Sequence, residues 1–194
     1  MILDKQKKVV VLPEILGGSS IKLAHKEHER GGIACHAESG PMLKGNDGYE
    51  LGAFVRNPYT KVIALFHWRH NGNGVGPKGS NGELAEDFEK WVLTTFHQEP
   101  SCFDRIQVDG KIELDFLGKF ETLGKDFKRL CEWTGIKGLE LPDRHRGLYK
   151  YDPEEYFTDK VVETVKKKWG NTFSEFGYSE DYRDIEFRNW NKKD

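Results

Sequence analysis

Two short segments of this 194-residue chain hold anion-binding groups at positions where a folded backbone would aim them at a ligand. The first is Gly17, Gly18, Ser19 and Ser20, which follow the β-branched run KVVVL of residues 8–12 and precede a segment of helical pattern. A glycine turn between a buried strand and a helix presents backbone N–H groups and the positive end of the helix dipole to a phosphate. The alternative is a plain tight turn, which glycine makes without any ligand. The sequence GxxxxGK[ST] is absent, which disfavours a Walker-type nucleotide loop.

The second is Arg56, which follows LGAFV (residues 51–55) and precedes Asn57 and Pro58. Proline is well placed to open a helix, so Arg56 is expected at the carboxyl end of a strand, where open α/β sheets bind ligands. A guanidinium there suits bidentate phosphate binding, and an ion pair with a neighbouring carboxylate is the competing use. His25/His28 and His67/His70 each have a spacing that puts two imidazoles on one helix face, as a metal site requires. Neither pair has an evident third ligand, so both are expected to be surface histidines.

The elements that must hold these groups are legible as patterns. Residues 8–12 and 51–55 are short apolar runs without polar alternation, which suits strands buried on both faces of a parallel sheet. After the Gly17–Gly18 pair, Ser19 or Ser20 reads as the N-cap of a helix of about three turns closed by Gly31 and Gly32. TKVIALFHW predicts a helix from about Tyr59, and the glycine-rich residues 69–82 predict a mobile loop beside the site.

Three amphipathic helices follow: Leu84, Phe88, Trp91, Val92 and Phe96 behind a Ser80/Glu83 capping box; Leu123, Phe127, Leu130, Cys131 and Thr134, capped by Thr122 and Gly135; and Val161, Val162, Val165 and Trp169, capped by Thr158 and Gly170. IELDFLGKF supplies a third strand around residues 114–120. Strands and helices alternating in this way predict an α/β sheet with helices on its faces. Trp91, Trp133, Trp169, Phe173, Phe176 and Tyr178 are expected in the core, and Lys166, Lys167 and Lys168 on a solvated helix end.

With 37% hydrophobic residues the chain can build one sizeable core, and a single domain over residues 1–194 is expected. A net charge of −2 with 32% charged residues gives no global field for nucleic acid or an anionic membrane, so any anion site has to be local. The start MILDKQKKVVVLP shows no signal-peptide pattern, and no apolar run reaches the ~20 residues of a membrane span, which predicts a soluble, cytoplasmic protein. Cys35, Cys102 and Cys131 are odd in number and form no CxxC pair, so reduced thiols are expected.

The order of these segments resembles sulfotransferase family 2, the carbohydrate-type sulfotransferases. FVRNPYTKVIALF is similar to the family signature FVRNPYxRLVSxY, and KVVVLPEILGGSSI to its opening strand and PKTGGTSI loop. CHAES falls where many members carry a histidine. VDGKIELDFLGKFETLGKDFKRLCEWTGI resembles DxIGRFENLEEDFxxLCxxLGI, LPDRHR stands for LPHxN, and YFTDKVVETVKKKWGNTFSEFGY resembles YYTDExxxxVxxxYxxDFxxFGY. The resemblance spans residues 8–178, leaving 179–194 as a C-terminal tail.

This resemblance implies a P-loop-type three-layer fold with a central, mostly parallel sheet flanked by helices. It implies 3′-phosphoadenosine 5′-phosphosulfate (PAPS) as cosubstrate, 3′-phosphoadenosine 5′-phosphate (PAP) as product, no metal, and a hydroxyl acceptor on a glycan or small alcohol. Gly17, Gly18, Ser19 and Ser20 become the 5′-phosphosulfate loop and Arg56 a ligand of the 3′-phosphate. His36 is the expected base, with Glu38 in reserve; Arg146 and Lys150 fall where members place a late basic contact to the nucleotide. Glu121 matches the glutamate of the family's RFE and is expected to make a structural ion pair or a contact to the next helix.

Two positions depart from the family. Glu14 stands where the loop has a lysine that meets the bridging oxygen and sulfonate, and Lys22, expected in the first turn of the following helix, is the expected substitute. Ala64 replaces a serine that helps hold the 3′-phosphate, a loss of about 0.5–1.5 kcal/mol of binding. The expected function is therefore sulfuryl transfer from PAPS to an alcohol. The alternative is a weak or inactive relative that binds nucleotide or glycan without turnover; a P-loop kinase is disfavoured by the absent Walker lysine.

Overall fold

The computed structural model describes residues 1–13, 18–26, 28, 42, 46–71, 81–142 and 153–185. In chain order the elements are β1 (Ile2–Leu3), β2 (Lys8–Val11), α1 (Gly18–Ala24), β3 (Glu50–Val55), α2 (Pro58–Asn71), α3 (Asn81–Thr94), α4 (Cys102–Ile106), β4 (Phe116–Lys119), α5 (Leu123–Thr134), α6 (Pro153–Tyr156) and α7 (Asp159–Phe176), with short 3-10 turns between some of them. The strands form one sheet in the order β1-β2-β3-β4. Only β1 runs antiparallel to its neighbour; β2, β3 and β4 are parallel. The chain is thus α/β, with a mostly parallel sheet and flanking helices.

Contacts gather the chain into two compact units, Met1–Arg56 with Cys102–Arg144, and Asn57–Ser101 with His145–Asp194. In the first unit the run predicted as a doubly buried strand is one: Val9, Val10 and Val11 are all fully buried. On one face of β3 and β4, large and small residues alternate across the register. Gly52 lies beside Phe116 and Phe54 beside Gly118. Trp133, from α5, stacks on Phe116 at 5.3 Å and roofs Gly52. The start of the sheet is clamped by Lys8, whose ammonium pairs with Glu50 at 2.5 Å and sits 4.3 Å over the Trp133 ring.

A Cβ at Gly118 would lie 2.5 Å from the fully buried Phe54 ring, which has nowhere to move. Gly118→Ala is therefore expected to cost about 1–3 kcal/mol, measured as a fall in urea midpoint at unchanged m. Gly52→Ala meets the half-buried Trp133 instead at 2.9 Å and should cost less.

In the second unit α2 packs on α7, and α3 packs on both α6 and α7. Phe88, Trp91, Val92 and Phe96 form the predicted stripe, and Phe96 meets Trp169 edge-on at 4.5 Å. Lys61 is buried in α2, its ammonium bonded to the Pro100 carbonyl at 3.1 Å and 4.9 Å over Trp169. It holds the chain after α3 in place. Tyr59 donates to the Glu180 carbonyl at 2.7 Å, and burial, together with nearby acidic groups, pushes its phenol well above the usual range.

Several sequence expectations change. Helix α1 has two turns, not three: the His25 amide is shared between the Ile21 and Lys22 carbonyls, and the amides of Lys26 and His28 bond to carbonyls three residues back, tightening the chain out of the helix. Ser19 and Ser20 lie inside its first turn and are not N-caps. Helix α7 does not stop at Gly170 but continues to Phe176 through a kink at Trp169 (φ −116°, ψ 22°), and Gly177 is its left-handed C-cap. Lys166, Lys167 and Lys168 are consequently mid-helix, not a helix end. Trp133 and Tyr178 are only half buried, whereas Trp91, Trp169, Phe173 and Phe176 are core. Ser80 and most of the glycine-rich segment lie outside the described residues. Among the described residues no helix is long and apolar enough to cross a membrane.

Candidate functional site

The carboxyl ends of β2, β3 and β4 share one edge of the first unit, because the three strands are parallel. They are also adjacent in chain order, so no reversal of strand order marks a crevice among the described strands. The side chains at this edge have to locate the site. β3 ends at Val55, and Arg56 is the next residue. Its side chain is buried, with 3% of the residue exposed, and its guanidinium lies 4.1 Å from the centre of the Phe120 ring.

The register explains the pairing. Val55 stands opposite Lys119, so the residues that follow, Arg56 and Phe120, leave the sheet side by side. Phe120 opens a 3-10 turn that ends at Thr122 and leads into α5. That turn is fastened by Asp126: its Oδ2 accepts from the Lys119 amide at 2.9 Å and from the Thr122 hydroxyl at 2.6 Å, and its Oδ1 from Arg129 at 2.6 Å. Burial opposes ionisation of this carboxyl, but the bonds from Thr122, Lys119 and Arg129 outweigh it and hold its pKa below the usual carboxylate range. Thr122, predicted as an N-cap, makes no side-chain capping bond and spends its hydroxyl on Asp126.

Directly after Arg56, the Asn57 side chain accepts from the Tyr59 amide at 2.9 Å and so caps α2, with Pro58 in the first turn where its missing N–H costs nothing. The three residues of the RNP segment thus divide the work: one cation at the strand end, one helix cap, one helix starter. Ala64 lies on α2, as the sequence places it, and offers no hydroxyl.

On the other side of the sequence motif, the chain leaves β2 and enters α1 at Gly18. Ser20 and Lys22 are buried (4% and 3% exposed). Lys22 falls in the last turn of α1, not its first as expected, because the helix begins at Gly18 and ends at Ala24. Its Cα–Cβ bond tilts toward the N-terminal end of the helix, as in any α-helix. Gly17, His36, Glu38, Arg146 and Lys150 lie outside the described residues, as does Glu14. Of the predicted site residues, Gly18, Ser19, Ser20, Lys22 and Arg56 all belong to the first unit. Glu121 is exposed in the turn after Phe120.

Two histidines expected at the surface are buried. His67 is 1% exposed on α2, against Phe66 and Tyr156. His25 is fully buried, its Nδ1 bonded to the Ile21 carbonyl at 2.9 Å and its ring edge-on to Phe127. A carbonyl only accepts, so Nδ1 carries the proton, and Nε2 is buried without a hydrogen-bond partner among the described residues. Burial, opposed by the Ile21 bond and assisted by His28, lowers the His25 pKa below its ordinary 6.5. A depressed native pKa means the unfolded chain takes up the proton first, so stability is full above about pH 6.5 and falls as pH drops through the native value. His25→Asn keeps a donor for the Ile21 carbonyl and removes the titration. It should flatten the acid side of the stability profile below pH 6.5, as read by urea unfolding across pH.

A cleft of about 650 Å³ opens at the opposite, amino edge of the sheet, lined by Tyr49, Leu51, Ile106, Val108, Glu113 and Asp115 among others. It contains none of the predicted site residues. Sequence reading missed Phe120 and Asp126 as parts of the Arg56 environment. The Thr122/Asp126 spacing, four apart across a turn, was the available signal for half of it.

Comparison with protein-family models and with curated proteins gives no match for this chain.

Proposed function

We propose that this chain is a PAPS-dependent sulfotransferase of P-loop type, acting on a hydroxyl of a carbohydrate or other alcohol. The observation that carries the reading is Arg56: a buried guanidinium at the carboxyl end of a parallel strand, stacked on Phe120. Its in-plane N–H groups suit bidentate recognition of the 3′-phosphate. Gly18, Ser19 and Ser20 form the start of α1, where backbone N–H groups suit the 5′-phosphosulfate, and Gly17 belongs to the same proposed loop by sequence.

In the proposed reaction the acceptor oxygen attacks sulfur in line as the bond from sulfur to the bridging oxygen breaks, and PAP leaves. His36, or Glu38 in its stead, takes the acceptor proton. Lys22 supplies the positive charge that Glu14 cannot, steadying the developing charge on the leaving phosphate. Positioning and electrostatics would supply most of the rate, by analogy with phosphoryl transfer.

A specific observation favours the alternative, a relative that binds the nucleotide without efficient turnover. Lys22 sits in the last turn of α1, a longer reach from the loop than a lysine within it. Labelled-sulfate transfer from PAPS to a panel of glycans and small alcohols separates the two. Transfer that is lost in His36→Ala supports the enzyme; PAP binding without transfer to any acceptor supports the binder.

A further inference from the structure

We propose that Asp126 and Phe120 are positioning residues for Arg56: Asp126 fixes the turn that carries Phe120, and Phe120 fixes the plane of the guanidinium. The inference rests on the reading of Arg56 as the 3′-phosphate ligand and adds how that ligand is held.

Lys119 precedes the turn that begins at Phe120 and Thr122 ends it, and both donate to one oxygen of the Asp126 carboxylate, at 2.9 Å and 2.6 Å. That single oxygen therefore pins the backbone before Phe120 and the side chain after it. The other oxygen takes Arg129 at 2.6 Å, and Arg129 lies 5.5 Å from the Phe116 ring of β4, tying α5 to the same strand. Asp126 is 4% exposed, so these bonds face little competition from water.

At the helix end of the turn, Thr122 makes no side-chain capping bond to α5 and gives its hydroxyl to Asp126 instead. Phe120 in turn places the centre of its ring 4.1 Å from the Arg56 guanidinium carbon. Guanidinium donors lie in the guanidinium plane, so stacking on a face uses none of them and fixes the direction in which they point. A carboxylate on the first helical turn after β4 thus sets the orientation of a cation at the end of β3.

The test uses Phe120→Leu, Phe120→Tyr, Asp126→Asn and, in case the last does not fold, Thr122→Val. Affinity for PAP is measured by calorimetry, and the Arg56 Nε–H resonance, assigned with Arg56→Lys, is followed by NMR. Phe120→Leu is expected to weaken PAP binding roughly tenfold and to remove the ring-current shift of the Arg56 resonance. Phe120→Tyr should restore both. Asp126→Asn or Thr122→Val should weaken PAP and move the Arg56 resonance in the same direction.

A residue that merely packs would lower the melting temperature while leaving PAP affinity of the folded protein unchanged; that outcome, with an unmoved Arg56 resonance, overturns the proposal. If the native protein binds no PAP, the proposed function fails. The Arg56 resonance then decides the positioning claim alone: unchanged in Phe120→Leu and Asp126→Asn, it is overturned; shifted in both, it stands.

Discussion

Replacing Arg56 by glutamine is expected to weaken PAP binding by about 10²–10⁴-fold. Two hydrogen bonds to a charged phosphate at about 1.5–3 kcal/mol each give that range, at about 1.4 kcal/mol per tenfold. Only 3% of the residue is exposed, so water screens the interaction little. Arg56→Lys should fall between, since it keeps the charge but loses the planar fork and its fit to the Phe120 face. ADP, which has no 3′-phosphate, should be bound much more weakly by the native protein and should lose little further in Arg56→Gln. Equal losses for PAP and ADP would show that the substitution acts on the fold and not on the 3′-phosphate.

The second large effect concerns turnover. If Lys22 replaces the lysine that Glu14 displaces, Lys22→Ala lowers the rate of sulfuryl transfer by on the order of 10²-fold or more, with a smaller change in PAP affinity. Lys22 is buried, so the alanine also leaves a void in α1. Lys22→Met fills the same space without the charge and should show the same loss of rate. Unchanged turnover in both variants would remove Lys22 from the mechanism and leave the missing charge uncompensated.

The frame of the first unit was legible because its strands advertise themselves. KVVVL and LGAFV lack polar alternation, and the structure buries them as parallel neighbours. Helix α5 ends at Gly135 in the left-handed conformation that glycine adopts at least cost, as its sequence predicts. Where local signals failed, tertiary burial had outweighed them. Gly170 looks like a helix stop, yet Thr172, Phe173 and Phe176 beyond it are buried, and their burial outweighs the ~1 kcal/mol that glycine costs inside a helix. His25 looks like a surface residue by type, but it falls one turn after the buried Ile21 and bonds to its carbonyl.

The candidate site divides in the same way. Arg56, Asn57 and Pro58 were readable because their roles are local: strand end, cap and first turn. The Arg56–Phe120 stack was not, because it depends on which residue of β4 stands opposite Val55, and parallel register is fixed only by the assembled sheet. The length of α1 was equally hidden, and with it the position of Lys22, because three-residue backbone bonds from His25 onward end the helix before the glycines do.

Titration calorimetry of the native protein with PAP and with ADP tests the central claim most directly. PAP is expected to bind, and ADP far more weakly, with the preference lost in Arg56→Gln. Binding of ADP without binding of PAP would contradict it.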